Sequence, residues 1–348
     1  MTVGLEQQAN LDFVLALRRR WADTVYPKLR ETFDAVGGDS SRTPGQIAPV
    51  VHGLPGFGWF AWLERGSQKM LWRAVAAAVQ SRTPETSAAA APALPVEINP
   101  ELRLPDWYTE WDIHLQPGGV WSSQTAALVY ELGAKLVMMG ENDEYKFHRL
   151  FASSALPARS YRRIVDLGCG FGKSTWPLKQ IFPQAEVIGV DFSVPCLELA
   201  ARRAGALGLP IRFCQADACA TGLERGSFDL VTSTMLLHEM PTEALPSLLS
   251  EAARLLAPGG VVAFLDFQFT GDGFRDLAMT EHSTRNNEPF MAPMMAADLA
   301  SMAGAAGLHG AHWTAFDERA SGDLGAARWP SRREWHFPWA VLHAQAAP

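Results

Sequence analysis

The sequence is short of cysteine, of charge and of long apolar runs. Only four cysteines stand among the 348 residues: Cys169, Cys196, Cys214 and Cys219. No two have C-x-x-C spacing, and none stands in zinc-like order with paired histidines, so neither a redox pair nor a structural zinc site is expected. Four reduced thiols in a reducing compartment are expected instead. Charged residues make up 19% of the chain and the formal net charge is -7, with no long run of Lys or Arg. That balance disfavours a nucleic-acid partner. The one basic cluster, Arg18-Arg19-Arg20, falls on a helical pattern and reads as a solvated face. The opening residues have no signal-peptide core, and "MLWRAVAAAV" is interrupted by Arg73 and too short to span a bilayer. The expectation is a cytoplasmic protein with no membrane partner.

What is present is apolar material, 48% of the chain, enough for a sizeable core. Leu11, Val14, Leu15, Leu17, Trp21, Val25 and Leu29 recur at three- and four-residue spacings, which predicts a long helix ending at Gly37-Gly38. A second helix is predicted over "WLERGSQKMLWRAVAAAVQS" and an Ala/Pro-rich linker over "RTPETSAAAAPALPVEINP". From about Arg163 short apolar runs alternate with helical ones, which predicts a doubly wound, mostly parallel α/β sheet. The expected organisation is a helical N-terminal domain over 1–105, a helical lid or connector over 106–155, and a ligand-binding sheet domain over 156–348. The C-terminal "WPSRREWHFPWAVLHAQ", with Trp335, Phe337 and Trp339 in step, reads as a strand at the sheet edge.

The stretch "DLGCGFGKST" invites two readings. A phosphate-binding loop needs four residues between its first glycine and Gly-Lys-Ser/Thr, but only three separate Gly168 from Gly172. A dinucleotide loop needs G-x-G-x-x-G, whereas the spacing here is G-x-G-x-G, preceded by Asp166. Further acids end the next two strands: Asp191 in "VIGVD" and Asp217 in "FCQADA". A carboxylate at the first position can take both ribose hydroxyls. One at the second, with a following amide, suits an adenine edge.

Together with "FDLVTSTMLLHEM" and "LLAPGG", this ordered set resembles the class I S-adenosylmethionine-dependent methyltransferases over about Tyr161 to Phe269. The nearest flavour is the branch acting on quinones, sterols and natural products. The resemblance implies a Rossmann-like fold, S-adenosyl-L-methionine as cofactor, and a small, apolar or aromatic methyl acceptor. It implies that Gly168, Cys169, Gly170 and Gly172 approach the cofactor's carboxylate with their backbone and that Asp166 meets its ammonium. Asp191 and Phe192 fall at the ribose, Asp217 and Ala218 at the adenine, and Ser233 at the end of the fourth strand. Lys173 and Ser174 then lose any phosphate role, Ser174 entering a helix and Lys173 being exposed or paired. The N/D-P-P-Y/F segment of enzymes that methylate amino nitrogens is absent. An NAD-dependent oxidoreductase and a non-catalytic cofactor-binding scaffold are the alternatives.

His238 is the leading candidate for a general base, with Glu239 behind it, because both follow the fourth strand at the mouth of the cofactor site. His282 is a further catalytic candidate, although "MTEHSTRNNEPFMAP" also reads as a solvated loop. Trp107, Tyr108, Trp111, His114 and Trp121 could fold over the site as a lid, or simply pack between domains. No metal site is visible. A homodimer through the N-terminal helices is the expected assembly.

Overall fold

The computed structural model describes residues 4–81, 93–140, 142–319, 329 and 332–347. Most of the expected Ala/Pro-rich linker, residues 82–92, lies outside them.

The chain opens with helices α1 (Leu5–Arg20) and α2 (Tyr26–Ala35), joined without a break by a wide turn over Trp21–Val25. A further helix, α3 (Pro44–His52), was not anticipated. It starts at a reciprocal cap in which the Thr43 amide donates to Gln46 Oε1 at 3.1 Å. Helix α4 (Phe57–Gln80) runs back along α1. The solvated-face reading fails at Arg18, which is only 5% exposed, because α4 covers that side of α1; Arg19 and Arg20 do face solvent.

Next come the short turn α5 (Asp106–Thr109), α6 (Gln124–Leu136) and α7 (Lys146–Leu150). Ser123 caps α6 by accepting the Ala126 amide at 3.1 Å. Helix α6 lies on α4 at Gly133, where a Cβ would stand 2.1 Å from Cζ3 of Trp72. Gly133→Ala is therefore expected to destabilise the protein by about 1–3 kcal/mol through overpacking. A urea midpoint equal to that of the parent protein would show that Trp72 can move aside.

The sheet has eight strands: β1 (Val96–Glu97), β2 (Arg163–Leu167), β3 (Glu186–Asp191), β4 (Arg212–Gln215), β5 (Phe228–Thr234), β6 (Leu256–Phe267), β7 (His309–Ala315) and β8 (Trp339–Gln345). Their order is β1-β4-β3-β2-β5-β6-β8-β7. Strands β1 to β6 pair in parallel and β8 pairs antiparallel with both β6 and β7. Central strands such as Ile164–Leu167 are buried on both faces, which is why they read as unbroken apolar runs. Two expectations change here. The C-terminal strand is internal, between β6 and β7, and β7 is the edge. Val96 and Glu97, placed with the N-terminal domain, add an edge strand beside Phe213 and Cys214 of β4.

The flanking helices are α8 (Thr175–Ile181), α9 (Val194–Ala206), α10 (Leu245–Leu255), α11 (Gly273–Arg285), α12 (Met291–Ala296) and α13 (Leu299–Ala305). Strand order reverses at β2, whose neighbours are β3 on one side and β5 on the other. In such a sheet the ligand crevice opens beyond the C-terminal ends of the strands at that reversal. The loops after β2, β3, β4 and β5 all reach this edge.

Candidate active site

Asp166 ends β2 and is wholly buried. Its Oδ2 accepts the hydroxyls of Ser174 at 2.6 Å and Thr175 at 2.7 Å, while Oδ1 has no partner. Burial pushes its pKa up to about 6, partly offset by those hydroxyls. Ser174 thus stands just before α8, as expected, and its hydroxyl steadies the acid.

The glycine loop takes left-handed backbone angles at Gly168, Gly170 and Gly172, with φ of 67°, 53° and 88°. Glycine is required there for conformation and for space: a Cβ on Gly168 would meet Leu236 at 2.7 Å and one on Gly172 would meet Trp176 at 2.7 Å. The loop's amides depart from expectation. Cys169 donates to the Val190 carbonyl, Gly170 to Asp191 Oδ2 and Gly172 to the Cys169 carbonyl. Three amides assigned to a ligand carboxylate are therefore engaged within the protein. Cys169 itself turns under the sheet, its Sγ 2.9 Å from where a Cβ of Gly189 would stand.

Asp191 ends β3 and accepts two amides, from Gly170 at 2.8 Å and Ser193 at 2.8 Å. Burial raises its pKa despite these bonds. Phe192 stands beside it under Tyr108, ring centroids 5.3 Å apart, and under Trp107 at 6.2 Å. Asp217 follows β4 and turns the chain by accepting the Cys219 amide at 2.8 Å; Ala218 is buried next to it. Ser233, opposite Leu167 of β2, is buried with its Oγ unpartnered.

The strap over 106–121 crosses this rim. Val120 accepts the Ser193 hydroxyl at 3.2 Å, and Trp107 also reaches Phe290 at 6.1 Å. Trp111 turns outward. His114 turns inward, its Nδ1 2.8 Å from Glu288 and its Nε2 3.0 Å from Glu239.

His238, 3% exposed, donates from Nδ1 to Asp266 Oδ1 at 2.6 Å, and its Nε2 is 3.4 Å from Glu239. Asp266, at the end of β6, also accepts the amides of Leu237 and Phe267. An unbroken file of alternating charge results: Asp266, His238, Glu239, His114, Glu288. Burial opposes charge on both histidines, but the carboxylates prevail: His238 is held well above the ordinary range, and His114 is raised to about 10. Burial likewise opposes the charge on Glu239, yet His114 and His238 hold its pKa below the usual carboxylate range.

Lys173 is not exposed, and among the described residues it has no ion-pair partner: it is 6% exposed, with Nζ 3.0 Å from the Tyr130 hydroxyl and 3.5 Å from Met235 Sδ. Burial lowers its pKa to about 8. His282 is not in a solvated loop but in α11, buried, with Nδ1 2.5 Å from Glu64, which Arg285 also engages. Arg18, Lys173, His114, His238, Glu239 and His282 line one cavity of about 70 Å³, walled otherwise by side chains such as Trp72, Phe267, Phe337 and Met291.

Of these residues, Asp266 escaped the sequence reading although it too is an acid at a strand end, in "VVAFLDF". Arg18, Lys173 and Glu288 left no local signal, since their meeting depends on tertiary contacts. Among the described residues no three His, Cys, Asp or Glu side chains form a metal-binding group, and no helix is long and apolar enough to cross a membrane.

A strand β2 with an acid next to its end, followed by a glycine loop at the reversal of a doubly wound sheet, is the arrangement of class I S-adenosylmethionine-dependent methyltransferases, and residues 164–260 match the family described as "Methyltransferase domain". The match covers that stretch of the chain, and the cofactor of the family it resembles is S-adenosyl-L-methionine. The chain is 37% identical to a demethylmenaquinone methyltransferase of Thermus thermophilus over 138 residues, 40% of this chain and 60% of that one. It is 44% identical to a trans-aconitate 2-methyltransferase of Deinococcus radiodurans over 109 residues, 31% of this chain and 39% of the other. The matches thus span less than two thirds of these relatives. Among solved structures, a Haemonchus contortus phosphoethanolamine N-methyltransferase superposes with a TM-score of 0.44 at 17% identity, covering 65% of this chain and 58% of that one.

Proposed function

We propose that this protein transfers a methyl group from S-adenosylmethionine to a small molecule held in the cavity beside His238. The observation that carries the reading is the open Oδ1 of Asp166: a fully buried carboxylate oxygen, without a partner, beside the glycine loop. Such an atom is costly unless a donor reaches it, and the cofactor's ammonium is a donor of the right charge. Asp191 faces the ribose, Asp217 with Ala218 the adenine, and Ser233 offers a free hydroxyl at the crevice floor. The engaged loop amides leave the cofactor's carboxylate to Lys173, the buried cation nearest the loop.

When bound, the cofactor supplies a methyl group activated on a sulfonium. The chain's part is to align the acceptor, exclude water and manage the acceptor's charge. The strap over 106–121 covers the crevice, and Phe267, Phe337 and Trp72 give the acceptor apolar walls suited to a ring. His238, charged between Asp266 and Glu239, enters as a donor from Nε2, which replaces the expectation of a free base. Its imidazolium steadies an acceptor oxygen already stripped of its proton.

Titration calorimetry with S-adenosylmethionine, S-adenosylhomocysteine and NADH tests the assignment. Micromolar binding of the first two is expected; binding of NADH alone would overturn it. Asp191→Ala is expected to weaken S-adenosylhomocysteine by about 2–4 kcal/mol, the loss of charge-assisted hydrogen bonds. Near-parental affinity would remove Asp191 from the ribose.

A further inference from the structure

We infer that the methyl acceptor carries a negatively charged acid group and that Arg18 holds it. This deepens the reading above and rests on it. Arg18 comes from α1, far in sequence from the methyltransferase domain, yet it lines the cavity that His238 lines. It is 5% exposed. One Nη1–H donates to Gln68 Oε1, and Nε has no partner. No carboxylate lies within ion-pair distance of it among the described residues.

A buried guanidinium without a counter-ion is costly, and the cost is visible: burial lowers its pKa to about 10, with Glu64 acting from a distance to oppose that. Glu64 cannot serve as partner, because His282 and Arg285 already occupy both of its oxygens. The two acids in the cavity wall, Glu239 and Glu288, are both bound to His114. Both acids thus lean on His114, with Glu288 Oε2 left without a hydrogen-bond partner, and among the described residues neither comes within ion-pair distance of Arg18. Lys173, beside the glycine loop, is met by the cofactor's own carboxylate. Arg18, on the helical side, is not, and an acid group on the acceptor would supply the counter-ion that none of the described residues brings within ion-pair distance.

The guanidinium fork suits a planar carboxylate, which it grips with two parallel hydrogen bonds. Gln68 fixes the fork: its Oε1 takes one arm, and its Nε2 donates to the His114 carbonyl at 3.2 Å. The same side chain thus ties the anchor to the strap residue that closes on Glu239. An acid held at Arg18 is an anchor and not the atom methylated, since esterification would erase the charge that binds it. The acceptor is accordingly bifunctional: an acid for Arg18 and a nucleophilic atom toward His238, joined by an apolar or aromatic body. An acid is favoured over an amine because the Arg18 guanidinium, among the described residues, has Gln68 as its hydrogen-bond partner and no carboxylate beside it, whereas Glu288 already has His114 on Oε1.

The test uses benzoate, benzamide and benzylamine as matched probes of one size and three charges, titrated by ligand-observed NMR at saturating S-adenosylhomocysteine. Benzoate is expected to bind the parent protein and Arg18→Lys at least tenfold more tightly than benzamide. In Arg18→Gln the preference is expected to fall below threefold, with S-adenosylhomocysteine affinity unchanged as the check on folding. Equal binding of benzoate and benzamide, binding of neither, a preference for benzylamine, or a benzoate preference that survives Arg18→Gln would each overturn the inference. If Arg18→Gln does not fold, the benzoate-to-benzamide ratio in the parent protein decides alone. Failure of S-adenosylhomocysteine to bind the parent protein would sink the methyltransferase reading itself, a result distinct from the loss of acid preference.

Discussion

Asp166→Asn is expected to abolish tight cofactor binding while leaving the free protein at least as stable as its parent. The two halves of that result come from one burial. In the free protein Asp166 is wholly enclosed, and its pKa lies near 6 instead of 3.8. A carboxyl group whose folded pKa is raised binds its proton more tightly folded than unfolded. Stability therefore falls as pH rises between about 4 and 6, by about 3 kcal/mol for a shift of this size. Asparagine removes the charge, and its carbonyl can still accept from Ser174 and Thr175. Its amide group, however, must then occupy the open Oδ1 position and would present N–H to an ammonium. Removing one member of a buried ion pair costs about 3–5 kcal/mol, and S-adenosylhomocysteine affinity should fall accordingly, by about two to nearly four orders of magnitude. Calorimetry and urea unfolding at pH 7.5 read the two effects separately. A mutant that unfolds more easily and also binds poorly would make Asp166 a structural residue only. In the parent protein, cofactor affinity should also decline as pH drops through about 6, when Asp166 takes up its proton.

The sequence disclosed the site in proportion to how local its signals are. Strand-end acids stand out because a charge at the close of an apolar run is unusual, and three of them in order at Asp166, Asp191 and Asp217 mark the crevice. The glycine loop is legible for the same reason, since a left-handed backbone at Gly168, Gly170 and Gly172 needs glycine whatever surrounds it. What spacing cannot convey is which donors are already spent. The amides of Cys169 and Gly170 look available in sequence and are occupied by Val190 and Asp191 in the fold. Lys173 looks like a surface residue after a loop, yet Tyr130 of α6 covers it. Arg18 sits in a run of three arginines and becomes a cavity wall only because α4 packs across one side of α1. His282 reads as polar-loop material because its neighbours are polar, but Glu64 of α4 draws it into a buried ion cluster. In each case the missing information is a tertiary contact, within the sheet domain for the loop amides, from α6 for Lys173, between α1 and α4 for Arg18 and from α4 for His282, at sequence separations that no periodicity can reach.

His238→Ala is expected to lower turnover by about a hundredfold or more with cofactor affinity intact, but the variant that discriminates is His238→Gln. The histidine is charged in the free protein because Asp266 receives its Nδ1–H and Glu239 lies 3.4 Å from Nε2. Burial works against that charge and is outweighed. A residue in this state gives a hydrogen bond to the acceptor and does not take its proton. Glutamine can give the same bond and should recover part of the lost rate; a general base would not be rescued that way. The pH profile has opposite signs in the two cases. If the imidazolium is the active form, turnover falls as pH rises through a value well above the ordinary histidine range. If neutral histidine were needed, turnover would climb over the same interval. Asp266→Asn adds the third arm, because removing the carboxylate lowers the pH at which His238 loses its charge. The alkaline fall should then move toward neutrality while S-adenosylhomocysteine affinity stays put. An alkaline rise in the parent, with no rescue by glutamine, would return His238 to the role of base and leave the acceptor free to arrive protonated.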